Sequence, residues 1–400
     1  MTEFRTLPFA AGLGGPLQGI RVVDLSRLVA GNMMSLQLGD FGADVVKVEP
    51  PQGDPLRDWR DDGRSLHWQV YGRNKRSIAL NLRRAGDMEA LRRLLARADV
   101  FIENFRPGTL EEMGLGPDVL AGLNPDLITV RISGFGQTGP YARLPGFGTL
   151  VEAMSGFAAR TGFPDREPVL PPLALADMIA GLTGANAAMM ALFARQRGAA
   201  RGQVIDLSLL EPIFAALGPE AAIYRTTGKI KERSGSASNT VSPRNVYRCA
   251  DGKYVALSGS TQTVTLRIFD VIGRPEMKSD PRFATNVERV RHRDLVDAAV
   301  GEWFAGRDRD TALAAMRGAG ATVGPVYDIA DICEDPHFAE RGILVEAERP
   351  DGSRLTHHNV FPRLSDTPGG LRLPAPEVGE HTAEILAEIG LTPADLETAP

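Results

Sequence analysis

The sequence predicts an α/β protein with a parallel sheet of the doubly wound kind, followed by a smaller α+β module. Two observations predict the sheet: from Gly19 onward short apolar segments alternate with helical patterns, and the segments are apolar nearly throughout, as in strands covered on both faces. A third observation predicts the module. The polar, Ser- and Gly-containing segment 228–240 separates this alternation from a hairpin-like sequence and two further helical patterns.

The elements follow in order along the chain. Strands of the large sheet are predicted at residues 19–26, 43–49, 76–82, 99–105 and 126–133, and helices at 31–41 and 87–97. After Arg197 come a turn, a strand and a short helix that close the first domain. The smaller module has a hairpin that turns at Asp251-Gly252 and helices at 264–272 and 292–305. The tail returns to strands around Asp351-Gly352 and ends in a helix at 381–389.

Composition excludes several classes of protein. The 400 residues suffice for two to three domains, and a net charge of -5 argues against a nucleic-acid-binding protein. The two cysteines, Cys249 and Cys333, form no CxxC pair, so neither a disulfide scaffold nor a zinc site is predicted. No basic N-terminal segment leads into an apolar core, and no run approaches the ~18 apolar residues of a membrane helix. We therefore expect a cytoplasmic protein without a membrane partner.

One acidic residue, Asp177, lies at the start of a long apolar helix. Asp177 begins a long helix of small and apolar residues that is predicted to extend to about Arg197. At or near the N-cap, its carboxylate would satisfy free backbone N–H groups. A carboxylate kept ionised by the helix dipole is also a nucleophile suited to acyl transfer, because attack requires the anion. The two roles are compatible, and the sequence leaves both open.

Polar and glycine-containing loops directly follow three predicted strands, as a binding crevice requires. They lie at 49–51, 103–108 and 133–136. The glycines at 134, 136 and 139 form GxGxxG, but Pro145 would interrupt the helix after about one turn and the expected acidic residue is missing, which disfavours a dinucleotide site. His357 and His358 have no third ligand at useful spacing, so no metal site is predicted.

Several segments, taken in this order, resemble the family III CoA-transferases, which include formyl-CoA:oxalate and carnitine CoA-transferases and also alpha-methylacyl-CoA racemase. The resemblance covers nearly the whole chain. Its segments are PLQGIRVVDLSRLVAG, FGADVVKVEPPQGDPLR, GRNKRSIALNL, ADVFIENFRPGTLEEMGLG, SGFGQTGPYARLPGFG, LALAD ending at Asp177, RGQVIDLSLLEP and GEHTAEILAEIGL.

The resemblance implies a fold in which both chain ends build one domain. Residues 1–225 and 326–400 would form a Rossmann-like large domain, and residues 226–325 a small domain with its linkers. Two ring-like subunits would be threaded through one another in an interlocked homodimer. Such threading leaves no signature in the periodicity of the sequence.

The resemblance also implies a site. Asp177 matches the nucleophile, which attacks a donor acyl-CoA to give a mixed anhydride and then an aspartyl-CoA thioester that transfers CoA to a carboxylic acid. Coenzyme A is a substrate here, and neither a tightly bound cofactor nor a metal is expected. Arg83 suits a CoA phosphate, because guanidinium binds phosphate bidentately. The matches to CoA-binding positions are Val29, Ala30, Leu80, Arg83, Asn104, Phe105, Arg106 and Met113.

Departures from the formate enzyme indicate a different pair of acids. Val29 replaces a glutamine, Pro50 an arginine and Gly148 an acidic residue, which favours bulkier or less polar substrates. The segment 258–261 occupies the place of a mobile glycine-rich lid but keeps only Gly259.

Two other functions compete with CoA transfer. Racemisation at the carbon alpha to the thioester needs a histidine and an acid, whereas the racemase histidine position corresponds to Gly146 or Phe147 here. A non-catalytic acyl-CoA-binding protein is the other alternative, and the presence of Asp177 argues against it.

Overall fold

The computed structural model describes residues 3–349 and 351–397. Contacts within the chain define a larger unit, formed by residues 1–157, 171–218 and 336–400, and a smaller unit, formed by 158–170 and 219–335. The boundaries differ from those expected at 225/226 and 325/326. Segment 158–170 joins the smaller unit because its backbone binds residues beyond 230, as in the hydrogen bond from Gly235 N to Gly162 O at 2.9 Å.

The described residues form twelve strands in chain order. They are β1 (Thr6–Pro8), β2 (Arg21–Asp24), β3 (Asp44–Glu49), β4 (Lys75–Ala79), β5 (Val100–Glu103), β6 (Ile128–Ser133), β7 (Gln203–Ser208), β8 (Arg244–Arg248), β9 (Tyr254–Ser258), β10 (Thr322–Pro325), β11 (Leu344–Glu348) and β12 (Arg354–His358).

The helices of the described residues are more numerous and range from one turn to six turns in length. They are α1 (Ala30–Asp40), α2 (Leu66–Tyr71), α3 (Ala85–Leu95), α4 (Thr109–Glu112), α5 (Pro117–Leu123), α6 (Gly148–Met154), α7 (Phe157–Arg160), α8 (Leu175–Gln196), α9 (Leu210–Ala216), α10 (Glu220–Thr227), α11 (Gln262–Val271), α12 (Asn286–Arg291), α13 (Arg293–Ala305), α14 (Arg309–Gly318), α15 (Ile329–Glu334), α16 (Pro336–Glu340), α17 (Thr382–Glu388) and α18 (Pro393–Glu397). Short 3-10 helices lie at Pro55–Asp58 and Pro275–Lys278.

The larger unit is built on a six-stranded sheet in the order β4-β3-β2-β5-β6-β7, and every neighbouring pair is parallel. The predicted parallel α/β sheet is thereby confirmed. The strand order reverses between β2 and β5, which is the switch point where doubly wound sheets bind ligands. One face is covered by α1 and α8, and the other by α3, α5 and α17.

A second, three-stranded sheet of the larger unit joins the two chain ends. Strand β11 pairs with β1 in parallel and with β12 in the expected hairpin. Strand β1 was not predicted from the sequence, because three residues are too few for a periodic signal. The last helices also return to this unit: Ile385 and Leu386 of α17 are 0% exposed in the cluster that contains Val46 and Ile78.

The smaller unit consists of the antiparallel sheet β10-β9-β8 and the helices that cover it. The predicted hairpin is present, but five residues rather than two connect its strands, since the pairing ends at Arg248 and Tyr254. Thr261, in the segment matched to a lid, is the N-cap of α11, and its hydroxyl oxygen accepts a hydrogen bond from Val264 N at 3.3 Å.

Helix α8 is the longest described helix, with 22 residues. By length and composition alone it could cross a membrane, contrary to the expectation that no such run exists, and 44% of its most apolar window is buried inside the structure. Within the larger unit it packs closely on α1. A Cβ added at Gly181 would lie 2.7 Å from Ala30 O, so only glycine permits this approach.

Candidate functional site

The site lies at the switch point of the sheet, where β2 and β5 end side by side. The loop after β2 and the loop after β5 are joined by Asn104, whose Oδ1 accepts from Arg27 N at 2.8 Å and whose Nδ2 donates to Arg27 O at 2.8 Å. The Arg27 guanidinium lies 5.4 Å from the centre of the Phe105 ring. These contacts fix two of the predicted CoA-binding residues at the mouth of the crevice.

A buried charge pair supports the turn that carries Asn104, Phe105 and Arg106. Glu103 Oε2 accepts from Phe105 N at 2.7 Å, while Arg131 Nε on β6 donates to Glu103 Oε1 at 2.9 Å. Burial raises the pKa of Glu103, and the Arg131 contact opposes that rise. The turn is therefore anchored to the neighbouring strand.

Asp177 is the third residue of α8 rather than its cap. The N-cap is Ala174, which offers no side-chain hydrogen bond, so Asp177 lies near the cap rather than at it. The backbone N–H groups of Ala30 and of Asp177 itself stabilise the carboxylate anion and lower its pKa. Small residues at the helix start leave room for the beginning of α1 to reach this carboxylate.

Burial raises the pKa of Asp177 to about 6, and the nearby charge of Glu152 adds to the rise. The two N–H hydrogen bonds lower that pKa but do not cancel the effect of burial. The expectation that the helix dipole keeps this group strongly ionised is thus only partly met. At pH 7 the anion still exceeds the acid by about tenfold, which suits a nucleophile.

Helix α6 approaches the carboxylate from the other side. Its first residue is Gly148, and a Cβ there would lie 2.2 Å from Asp177 Oδ2. Glu152, one turn later and 2% exposed, accepts from Ala176 N at 3.1 Å. The glycine noted as a departure from the formate enzyme is therefore the residue that gives the carboxylate its space.

Asp177 lines a cavity of about 90 Å³ whose walls are mostly apolar or backbone. Two guanidinium groups, those of Arg27 and Arg106, reach the same cavity. Neither has a carboxylate partner among residues 3–349 and 351–397. The predicted site residues that this cavity brings together are Ala30, Asn104, Phe105, Arg106 and Asp177.

A larger cavity of about 600 Å³ lies beside the small one, and Arg27 and Phe105 line both. Its lining includes the remaining predicted positions Leu80, Arg83 and Met113. Leu80 is buried, whereas Arg83 is exposed with its guanidinium in no ion pair within the described part of the chain.

Val29 is the predicted position that lines neither cavity. It is 4% exposed and belongs to a buried cluster with Leu56 and Trp68. As the residue just before α1, it has its side chain turned into the core. The other eight predicted residues lie along one continuous path from Asp177 to Met113.

A buried polar network lies under this path. Lys47 Nζ is 3.0 Å from Asp54 Oδ2 and 3.4 Å from Asp24 Oδ1, and these contacts lower the pKa of both carboxyl groups against the opposing effect of burial. Lys75 Nζ donates to Asn32 Oδ1 at 2.8 Å, and burial lowers its pKa to about 7. No group of three or more metal-ligating side chains occurs in the part of the chain that the structure describes.

Comparison with known proteins finds similarity over almost the whole chain. Residues 17–382 match the model for CoA-transferase family III. The chain belongs to this family. It is 41% identical over 386 residues to the succinyl-CoA--D-citramalate CoA-transferase of Chloroflexus aurantiacus, covering 95% of this chain and 96% of that protein.

Two further comparisons extend the match. The succinate--glutarate CoA-transferase of Agrobacterium fabrum is 36% identical over 388 residues, covering 94% of this chain and 96% of that protein. A crystal structure of a CAIB/BAIF family protein from Brucella suis superposes with a TM-score of 0.83 at 36% identity, covering 94% of this chain and 100% of that one. The predicted enzyme class, a CoA-transferase, is confirmed.

The loops that suggested other chemistry have structural roles in this CoA-transferase. No helix begins between Gly139 and Phe147, so the GxGxxG sequence lacks the helix that a pyrophosphate site requires. A Cβ at Gly146 would lie 2.8 Å from Gly134 Cα, which leaves no space for a histidine at position 146, one of the two that match the racemase histidine. No imidazole is present among the residues that line the Asp177 cavity.

Three residues of the site were not singled out from the sequence. Arg27 directly follows a strand end, and Glu152 is an acid inside an otherwise apolar helix; both are signals that sequence reasoning could have used. Asp54 lies in a Gly- and Pro-rich loop, where its polarity is unremarkable. Its burial follows only from the tertiary structure.

Proposed function

We propose that this enzyme transfers CoA from an acyl-CoA to a carboxylic acid through covalent intermediates on Asp177. A carboxylate oxygen attacks the thioester carbon of the donor, the C–S bond breaks, and CoA leaves as the thiolate. The thiolate attacks the Asp177 acyl carbon of the mixed anhydride, which gives an aspartyl-CoA thioester and releases the donor acid. The acceptor carboxylate then attacks this thioester, and the returning thiolate forms the new acyl-CoA and regenerates Asp177.

The observation that carries this proposal is the position of the Asp177 carboxylate. It lies in a mostly apolar cavity next to a much larger one, with a pKa of about 6 and two backbone N–H groups holding it. An anion with few hydrogen-bonding partners in a confined space is a competent nucleophile. The anhydride conserves the energy of the thioester, so the exchange needs no further activation.

We infer that the larger cavity accepts the CoA portion, with Arg83 at its exposed edge for a phosphate. Its volume of about 600 Å³ is in the range of small-molecule sites. The pantetheine arm would be guided toward Asp177 by the backbone at Ala30, the turn from Asn104 to Arg106, and the side chains of Leu80 and Met113.

We also propose that the two acids between which CoA is transferred are dicarboxylates. The two relatives described above are named for succinyl-CoA with citramalate and for succinate with glutarate. Arg27 and Arg106 reach the Asp177 cavity without carboxylate partners of their own in the described structure. A guanidinium group there would bind the carboxylate of the substrate that does not react.

Replacing Asp177 tests the covalent route. The Asp177→Asn variant should lose more than about 10⁴-fold in kcat while it still binds CoA. Hydroxylamine added to the wild-type enzyme with succinyl-CoA should convert Asp177 to a hydroxamate, detected by peptide mass. Asp118→Asn, another acid in the first turn of a helix, is the matched control. Retained turnover in Asp177→Asn, or labelling at another residue, would contradict the proposal.

A substrate panel tests the choice of acids. We expect succinyl-CoA with dicarboxylic acceptors to exceed acetyl-CoA or monocarboxylic acceptors in kcat/KM. The Arg27→Ala variant should raise KM for the dicarboxylate by about 10- to 100-fold and leave a monocarboxylate nearly unaffected. An equal rise in KM for both kinds of acid would contradict the binding of the second substrate carboxylate by Arg27.

We propose further that the enzyme is an interlocked homodimer in the cytoplasm. Apolar side chains on one face of α8 are open to solvent in the single chain, with Met190 64% and Phe193 60% exposed, as expected for a face covered by a second copy. Sedimentation should give twice the chain mass. Two differently tagged dimers should exchange subunits only after unfolding, and rapid exchange under native conditions would exclude threading.

A further inference from the structure

A strained residue lies at the centre of the loop that leads into α1. Leu28 has φ 61°, in the left-handed region that is strained for a non-glycine residue. Such a conformation persists only where surrounding contacts impose it. The contacts of Leu28 therefore show what holds the loop in this shape.

Both backbone groups of Leu28 are held by buried side chains. Leu28 N donates to Asp54 Oδ1 at 3.0 Å, and Asn32 Nδ2 donates to Leu28 O at 2.6 Å. Asn32 Nδ2 also donates to Asp54 Oδ2 at 2.9 Å, which locks the two side chains together. Asp54 is 2% exposed and Asn32 is 0% exposed.

The charge of Asp54 is neutralised within the core. Lys47, itself 0% exposed, reaches Asp54 Oδ2 at 3.0 Å, and Glu49 Oε2 accepts from Asp54 N at 2.8 Å. Asp24 and Lys75 complete the charged groups around this pair. Asp54, which also lines the larger cavity, thus has an orientation that is fixed by groups in the core.

The loop ends beside the proposed nucleophile. Two residues after Leu28, Ala30 lines the same cavity as Asp177, and Ala30 O lies against α8 at Gly181, one turn after Asp177. The backbone N–H of Ala30 lowers the pKa of the Asp177 carboxyl group. A change in the backbone at Leu28 would rotate the chain entering α1 and redirect this N–H. The position of one hydrogen bond at Asp177 therefore depends on a carboxylate that faces Leu28.

We propose that Asp54 is a positioning residue of the transfer reaction, which acts through Leu28 to aim the Ala30 N–H at the Asp177 carboxylate. The inference rests on the proposed function, since it matters only if Asp177 is the nucleophile. Lys47 and Asn32 support Asp54 in this role. An asparagine at position 54 would set its NH₂ group against donors in either orientation. Facing Asn32 and Lys47, it would lose the contacts that hold the side chain in place; facing Leu28 N, it would release the loop directly, so a carboxylate is required there.

The Asp54→Asn variant tests the proposal. With the Ala30 N–H misdirected, the pKa of Asp177 should rise, so the acid limb of the kcat/KM profile should move upward by about one pH unit. We expect kcat to fall by about 10- to 100-fold and KM for acyl-CoA to change by less than about threefold. Glu152, Arg27 and Arg106 also face Asp177 but are unchanged in this variant. A folded variant with the wild-type acid limb would overturn the proposal.

A rescue experiment separates positioning from general damage. Glycine adopts the left-handed conformation without strain, so the Leu28→Gly change in the Asp54→Asn background should recover about tenfold in kcat and return the acid limb toward wild type. The Leu28→Gly single variant completes the double-mutant cycle. If the effects of the two substitutions on kcat simply add, Asp54 does not act through Leu28. If Asp54→Asn fails to fold, Asn32→Ala releases Leu28 O and is measured in the same way.

Two results separate the positioning role of Asp54 from the nucleophilic role of Asp177. Turnover retained in Asp177→Asn would remove the proposed function, whatever Asp54→Asn does. An inactive Asp177→Asn together with an unshifted acid limb in Asp54→Asn would remove only the positioning role.

Discussion

Protonation of Asp177 should set the acid limit of the reaction. Its pKa is about 6, and the anion is the attacking form in the proposed mechanism, so kcat/KM should fall about tenfold for each pH unit below that value. Removing the negative charge in Glu152→Gln should lower the pKa of Asp177 and move this limb to lower pH, because like charge favours the protonated form. A pH profile of both enzymes measures the shift, and an upward movement would exclude this electrostatic role of Glu152.

Gly148 should tolerate no side chain. A Cβ would meet Asp177 Oδ2 at 2.2 Å, so Gly148→Ala should displace the carboxylate and reduce kcat by about 10²-fold while the protein stays folded. Steady-state kinetics with circular dichroism as the fold control measure this. Full activity would show that the carboxylate moves aside freely.

The resemblance to the family predicted nine site positions, and eight of them line the two cavities. Val29 differs because its side chain faces the core. The sequence could not predict Gly148 as a neighbour of Asp177, since the contact joins two helices whose packing angle leaves no local signal.

The approach of α1 to α8 is the element contact on which the site depends. In Gly181→Ala the new Cβ would press on Ala30 O at 2.7 Å, and backbone cannot move aside as a flexible side chain can. We expect a loss of about 1–3 kcal/mol in the free energy of unfolding, as for other overpacked sites, together with reduced kcat. Urea unfolding and kinetics measure both effects.

Gly122→Ala is the matched control for this change. Gly122 lies in α5, and an added Cβ meets no atom within 4 Å. Alanine there should stabilise the protein by about 0.5–1 kcal/mol, because it is the better helix former. Equal effects of the two substitutions would show that the α1 to α8 contact is not tightly packed.

The structure places the predicted strands of the large sheet and the helices that cover it within a few residues of their expected bounds. The reason is that buried strands and amphipathic helices carry strong periodic signals. Strand β1 and segment 158–170 were not predicted, because their places depend on partners far along the chain.

Stability of the whole molecule should depend on its C-terminal segment. Ile385 is 0% exposed and packs in the cluster under the large sheet, so Ile385→Ala should cost about 2–5 kcal/mol. Ile329→Ala, at a side chain that is 71% exposed, should change the free energy of unfolding by less than about 0.5 kcal/mol. Chemical denaturation of the two variants compares them directly. A small effect at Ile385 would show that the tail adds little to the large unit.

The same segment has a consequence for how the protein is made. A ribosome releases the N-terminal strands hundreds of residues before it releases the helix that covers Val46 and Ile78. The larger unit can therefore complete its core only after Thr382–Glu388 has been synthesised, whereas the segment 219–335 emerges whole beforehand. Until then the early strands keep an apolar face exposed, and chaperones would be needed most during this interval.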